Sequence, residues 1–320
     1  MFGLKLRMWL LTFLLFAVIY AVVSMISYAL GVRNFNFYLV VSLVMMLVQY
    51  MIGPTIVEWS MRVRYLKPGE QPELQAMVRN LATAANIPMP RIGIAQVSIP
   101  NAFAFGRSIK DGRICVTEGV MNLLNQQELR AVLGHEMSHI KNRDVLTITL
   151  LSVIPVILYR IAWQFLFYGN RRDRNSGNTA LVGLVALLFY FITNLLVLYG
   201  SRVREYFADK GSIDLGNQPA WLASALYKLV YGSARMPKEA IKDVEGMKAF
   251  FANDPSRAMK DLKSLRDLDL DKSGTLSDSE LAALRGREVK LGTGDRLLEL
   301  LSTHPNMLKR IQRLSEWRTS

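Results

Sequence analysis

The chain has 320 residues, 51% of them hydrophobic, and a mean hydropathy of +0.19, a balance that excludes an ordinary water-soluble domain and a disordered chain. Charged residues still make up 20% and Pro contributes 11 residues, so a sizeable water-facing part accompanies the apolar stretches. The excess of 39 Lys and Arg over 26 Asp and Glu, a formal +13, comes without an aromatic-interleaved basic run or RNA-binding motif, which argues against nucleic acid and for cationic loops kept on the cytoplasmic side of a lipid bilayer.

A spanning helix needs about 20 apolar residues, because hydrocarbon offers no partner to a backbone amide and only the helix satisfies its own. Residues 8–31 and 35–57 are uncharged and joined by a tight loop at Arg33 and Asn34, which predicts an antiparallel transmembrane hairpin. The first run exceeds the about 7–15 residues of a secretory core and reads as an uncleaved anchor. Lys5 and Arg7 before the hairpin and Arg62, Arg64 and Lys67 after it outweigh the lone Arg33, so the large polar parts face the cytoplasm.

Between 61 and 144 the pattern is first helical (73–85) and then alternates over 91–98, 102–108 and 113–117, with Lys110-Asp111-Gly112 as a hairpin turn. A helical pattern resumes over 118–141. A third span, 145–169, is interrupted by Pro155 and Arg160, and a mid-span Arg costs about 3 kcal/mol unless it snorkels or finds a partner. The fourth, 178–200, carries no charge. The loop joining these two holds Arg171, Arg172 and Arg174 against Asp173, in conflict with the side this topology gives it. Residues 202–320 read as helical, broken at Gly216, Pro237, Pro255, Gly274 and around Gly292 to Gly294.

The chemistry is concentrated in Gly134-His135-Glu136-Met137-Ser138-His139, a His-Glu-x-x-His pattern inside a helix over 127–141. Residues four apart share a helix face, so the two imidazoles converge on one point, and Glu136 stands where it can take a proton from a water held there. That is the layout of a zinc hydrolase. The chain has only 3 His, two of them in this pair. Its single cysteine, Cys115, excludes a disulfide framework and a Cys-only metal site and fits a reducing compartment. A catalytic zinc usually takes three protein ligands and keeps one position open, and with the last His at 304 a carboxylate is expected as the third. Glu205 is the best placed, because the hairpin of spans three and four returns its segment beside the His-Glu-x-x-His helix. Asp209, one turn on, is expected to hold a ligating His through its other ring nitrogen.

The run from Glu128 to Asp144, the segment Ser201 to Asp209, Asn101-Ala102-Phe103-Ala104-Phe105-Gly106 and Ser302-Thr303-His304-Pro305 together resemble the HtpX group of membrane-bound zinc metallopeptidases over nearly the whole chain. The resemblance implies one zinc bound by His135, His139 and Glu205, with Glu136 as the catalytic acid and base. It also implies endoproteolysis of damaged or misassembled membrane proteins, in quality control and stress response, at the cytoplasmic face of a bacterial inner membrane. His304 or Arg204 is expected to donate to the developing oxyanion. The strand Asn101, Ala102, Phe103 and Ala104 is expected to offer its backbone to an extended substrate. The group is more distantly similar to prenyl-protein endopeptidases, which have more spans.

One stretch departs from that group. Aligning Gly274 on the sharp-turn position of a calcium-binding helix-loop-helix places Asp269, Asp271, Ser273, Thr275, Ser277 and Glu280 at its ligand positions. The surrounding residues, about 255–290, read as an insertion, and calcium bound there is expected to order it and tune access to the active site. The fold class expected is therefore α+β: a membrane protein with four transmembrane helices in two hairpins (1–60 and 145–201) and a mainly helical, zincin-like catalytic domain with a small β-sheet (61–144 and 202–320). Two other functions are compatible with parts of this pattern: a non-catalytic, calcium-responsive membrane scaffold, and a peptidase restricted to one client such as a prenylated or signal-like peptide. A scaffold has no physical need for the base at 136.

Overall fold

The computed structural model describes residues 35–144, 176–237, 258–286 and 292–317, with isolated positions between 147 and 166 and at 239, 241 and 251. The predicted first span, 8–31, lies outside the described residues, as does most of the third. The chain divides into two compact units, Met1–Ile52 with Leu146–Val203, and Gly53–Val145 with Arg204–Ser320.

In the first unit the described residues are helical. The predicted second span lies within helix α1 (Phe35–Ser60), and the fourth within the long helix α5 (Ser176–Asp214). Within α5 the stretch Ala180–Asp214 is long and apolar enough to cross a membrane, and among the described residues it alone passes that test. Its surface gives the physical reason. Leu181, Leu184, Leu188 and Phe191 are each more than half exposed, whereas Val182 and Ala186 are buried. Leucines at this spacing form one continuous apolar stripe, the surface that lipid rather than water would solvate. Tyr159 lies against Tyr190 with ring centroids 5.5 Å apart, and an added Cβ on Gly183 would come within 2.8 Å of Leu166. Pairing 159 with 190 and 166 with 183 makes the two stretches antiparallel, as a helical hairpin requires.

The second unit holds a four-stranded sheet in the order β1-β2-β4-β3. The strands are β1 (Val63–Tyr65), β2 (Arg91–Ala95), β3 (Ala102–Phe105) and β4 (Arg113–Thr117). β2 and β4 pair in parallel, from Arg91 opposite Arg113 to Ala95 opposite Thr117. β3 turns back through a short 3-10 turn at Ile109–Asp111 and pairs antiparallel with β4, leaving β3 as a sheet edge. The strands expected at 91–98 and 102–108 end at Ala95 and Phe105. β3 stops where Gly106 adopts φ +145 and Asp111 crowds it, the Asp111 carbonyl lying 2.2 Å from any added Cβ. β1 is absent from the periodicity because three residues are too few to show an alternation.

The single helix expected over 118–141 is two. α3 (Glu118–Leu123) ends before Asn125, which caps α4 (Gln126–Lys141). The Asn125 side chain accepts from the Glu128 amide at 2.9 Å, and the Glu128 carboxylate accepts from the Asn125 amide at 2.9 Å. This reciprocal box satisfies two of the four amides that every helix start leaves unpaired. Buried Glu128 also receives Ser224 Oγ at 2.7 Å and Lys228 Nζ at 2.8 Å, from helix α6 (Pro219–Ala234). α2 (Pro72–Ala85), α4, α6 and the C-terminal helix share one apolar core with the sheet, in which Val78, Leu133, Met137 and Val230 are fully buried. Each Leu or Met so buried contributes about 1.5–3 kcal/mol. α7 (Ala258–Leu265), α8 (Asp278–Ala283), α9 (Thr293–Leu300) and α10 (Met307–Ser315) complete the described elements, broken near the positions the sequence marks.

Candidate metal centre

α4 is buried almost all round from Leu129 to Ile140, yet carries His135, Glu136 and Ser138 in that interior. Buried polar groups cost several kcal/mol unless partnered, so such a helix must meet its partners on neighbouring elements. The second unit's part of α5, residues 204–214, supplies them. Two glycines let these segments approach. An added Cβ on Gly211 would lie 2.1 Å from Ser138 Oγ, and one on Gly134 would lie 2.4 Å from Asn217 Nδ2. Ser212 Oγ donates to the Ala131 carbonyl at 2.6 Å across the same crossing. Replacing Gly211 with Val is expected to force the backbones apart at a cost of about 1–3 kcal/mol and to weaken zinc binding at least tenfold. Thermal unfolding and chelator competition check both effects.

At this crossing His135, His139 and Glu205 each offer a ligand atom, and those atoms lie within 4.8 Å of one another. His135 Nε2 and His139 Nε2 are 3.1 Å apart, with the rings perpendicular at 87°. Glu205 Oε2 stands 3.6 Å from His135 Nε2, and Oε1 stands 3.5 Å from His139 Nε2. Two nitrogens about 2.0–2.1 Å from one tetrahedral ion keep about 3.3 Å between them, so the donor set fits a zinc ion without rearrangement.

The other ring nitrogens are held by carboxylates. His135 Nδ1 lies 2.9 Å from Asp209 Oδ1, and His139 Nδ1 lies 2.6 Å from Asp144 Oδ2. A carboxylate facing Nδ1 favours the tautomer that carries its proton there and leaves Nε2 as the lone-pair donor. Burial holds His135 below its ordinary pKa against the pull of Asp209, whereas His139, despite burial, is raised by Glu205 and Glu136. Glu136, 5% exposed, is pushed by burial up to about 7, with Glu205 raising it and His139, the Ala104 amide and Arg310 lowering it. A carboxyl near neutrality is suited to both taking and returning a proton. The Ala104 amide belongs to the edge strand β3, whose Phe103 and Phe105 stack at 5.8 Å in a separate apolar cluster. Ala102 and Ala104, facing the other way, are small enough for α4 to lie close.

Two further groups complete the cluster. His304 Nδ1 is 3.2 Å from Glu205 Oε2. Arg310 on α10 is fully buried, reaching Asp209 with Nε at 3.0 Å and Nη2 at 2.6 Å, and Glu205 with Nη1 at 3.2 Å. Burial opposes its charge, but Asp209 and Glu205 outweigh that and raise its pKa. The sequence reading missed Arg310. A signal existed: Met307, Ile311 and Leu314 form the buried stripe of α10, and position 310 falls on it, where a cation is tolerated only opposite a buried anion.

Arg204, expected beside the oxyanion, has two partners near the end of α4. Its guanidinium is ion-paired with Asp144 and donates to the Asn142 carbonyl at 3.1 Å. Asp144 lies on the Nδ1 side of His139, so these contacts hold Arg204 behind the imidazole. In the helix-loop-helix segment, Asp269, Asp271 and Glu280 have carboxylate oxygens within 4.8 Å of one another. Gly274 takes φ +79. Asp269 accepts from the Ser273 and Gly274 amides at 2.9 Å each. Ser277 caps α8, its side chain accepting from the Glu280 amide at 3.3 Å. Ser273 and Thr275 face each other, hydroxyl to hydroxyl, at 3.0 Å.

A family model described as peptidase family M48 matches residues 68–318. The chain is 52% identical over 227 residues to a protein named protease HtpX homolog from Methanothermobacter thermautotrophicus, covering 71% of this chain and 86% of the relative. It is 34% identical over 314 residues to the protein of the same name from Moorella thermoacetica, covering 97% and 92%. Among solved structures, that of S. mikatae Ste24p covers 98% of this chain and 67% of its own, with a TM-score of 0.48 and 15% identity.

Proposed function

The chain belongs to peptidase family M48 and is a metalloprotease, and from that premise we propose a zinc endopeptidase anchored by two transmembrane hairpins, cleaving misfolded or damaged membrane proteins at the cytoplasmic face. The observation that carries the reading is the pair of imidazoles, each oriented by a carboxylate on Nδ1, with both Nε2 atoms and Glu205 converging within 3.6 Å. His135, His139 and Glu205 would hold the zinc. When bound there it supplies a Lewis acid that polarises the scissile carbonyl and acidifies water.

Glu136 takes the proton of the attacking water and returns it to the leaving amine. In this reading His304, whose Nδ1 lies 3.2 Å from Glu205 Oε2, donates to the oxygen on which charge develops. The backbone of the edge strand β3, at Asn101, Ala102, Phe103 and Ala104, aligns an extended substrate in this reading, through backbone hydrogen bonds that read no side chain, which favours many substrates over one. Mapping cleavage sites on a mixture of unfolded proteins tests this. Many sites without a shared motif are expected; a single motif would instead establish a peptidase restricted to one client.

A second metal is part of the same reading. The twelve-residue spacing from Asp269 to Glu280 with three converging carboxylates supports calcium in that loop. Calcium at about 100 times its Kd is expected to stabilise the protein by about 2.7 kcal/mol, seen as a rise in unfolding temperature that Glu280→Gln abolishes while keeping the α8 cap. Activity unchanged by calcium removal, with zinc saturating, would separate this site from catalysis.

A further inference from the structure

α4 ends at Lys141, and Arg143 adopts φ +55. Had the helix continued, Asp144, five residues past His139, would stand about 140° round the axis from it, at about 100° per residue, out of reach. The left-handed residue, costly for a side chain other than glycine, turns the chain so that the buried Asp144 carboxylate meets His139 Nδ1 at 2.6 Å. Arg204 then closes on Asp144 and on the Asn142 carbonyl at the end of α4, and Arg204 directly precedes Glu205.

The same chain of groups occurs on the other imidazole. His135 Nδ1 meets Asp209, and Asp209 receives Arg310. Each imidazole thus has a carboxylate behind it and a guanidinium behind the carboxylate. The geometry points to Asp144 and Arg204 as a positioning pair for the metal site, fixing the His139 tautomer and tying the end of α4 to the residue next to the third ligand. The inference rests on the zinc reading above and adds to it residues that touch neither zinc nor substrate. It explains why a strained residue sits directly after the His-Glu-x-x-His helix: the strain positions Asp144.

The test is the zinc dissociation constant, measured by chelator competition on the intact detergent-solubilised chain. Asp144→Asn keeps an acceptor of the same shape but removes the charge, and Arg204→Met removes the guanidinium. Each is expected to weaken zinc about 10- to 100-fold, the range for losing a partner of a ligating imidazole. The double variant is expected to be no weaker than the worse single one, because both act through one contact. Arg204→Lys, keeping a cation, is expected to recover part of the loss. Zinc affinity within threefold of the parent in both folded single variants, or full additivity in the double, would overturn the pairing. If Asp144→Asn does not fold, Arg204→Met and Arg204→Lys decide alone. Parent protein that binds no zinc would instead overturn the metal site itself, a distinguishable failure.

Discussion

Glu136→Gln is expected to bind zinc as the parent does and to cleave unfolded protein about 10²- to 10⁴-fold more slowly, the range lost with a positioned general base. The amide keeps the size of the carboxyl and can still accept from the Ala104 amide, so the site keeps its shape and loses only its proton acceptor. Zinc content and the kcat for casein, measured on the same preparation, check the two halves of the prediction. Equal inertness of parent and variant, both zinc-loaded, would favour the scaffold over the enzyme. Equal cleavage by both would place the base elsewhere.

Arg310→Met is expected to be the most damaging single change outside the ligands. Methionine fills most of the volume but leaves the Asp209 and Glu205 carboxylates buried without their shared cation. Breaking a buried ion pair by removing one partner costs about 3–5 kcal/mol, expected to lower the unfolding temperature of the metal-free protein by about 10 °C. Zinc brings positive charge to the same carboxylates, so its addition is expected to recover part of the loss and to raise the unfolding temperature more in the variant than in the parent. Differential scanning fluorimetry with and without zinc checks both. A variant as stable as the parent would mean that the carboxylates find another cation.

These two residues mark what the sequence makes legible. Glu136, His135 and His139 are readable because helical spacing alone puts them on one side of a helix, and Glu205 because the two apolar runs expected between it and that helix would return its segment beside them. Asp209 follows from one further turn of helix. Arg310 and Asp144 depend on contacts that no local pattern encodes. Arg310 meets Asp209 across 101 positions, and Asp144 reaches its histidine only because Arg143 leaves helical backbone.

Gly134 and Gly211 were equally silent, since a glycine inside a helix pattern signals close approach without naming the partner. The break at Asn125 was readable in principle from Asn125 and Glu128, a capping box that the apolar periodicity of 118–141 masks. The Arg204 contacts with Asp144 and Asn142 are silent for a related reason: proximity to Glu205 in sequence says nothing about which side of the imidazole its guanidinium occupies. Of the four predicted spans, the second and fourth lie within described helices, and the continuous Leu181, Leu184, Leu188 and Phe191 stripe follows directly from the apolar composition of the fourth.

The most direct test of the metal centre is a titration of zinc into metal-stripped protein while casein cleavage is followed, run beside Glu205→Gln. The rate is expected to rise from zero and saturate at one zinc per chain, with the variant requiring far more zinc to reach any rate at all. A rate that does not depend on zinc, or a Glu205→Gln variant that titrates like the parent, would contradict a catalytic site built from His135, His139 and Glu205.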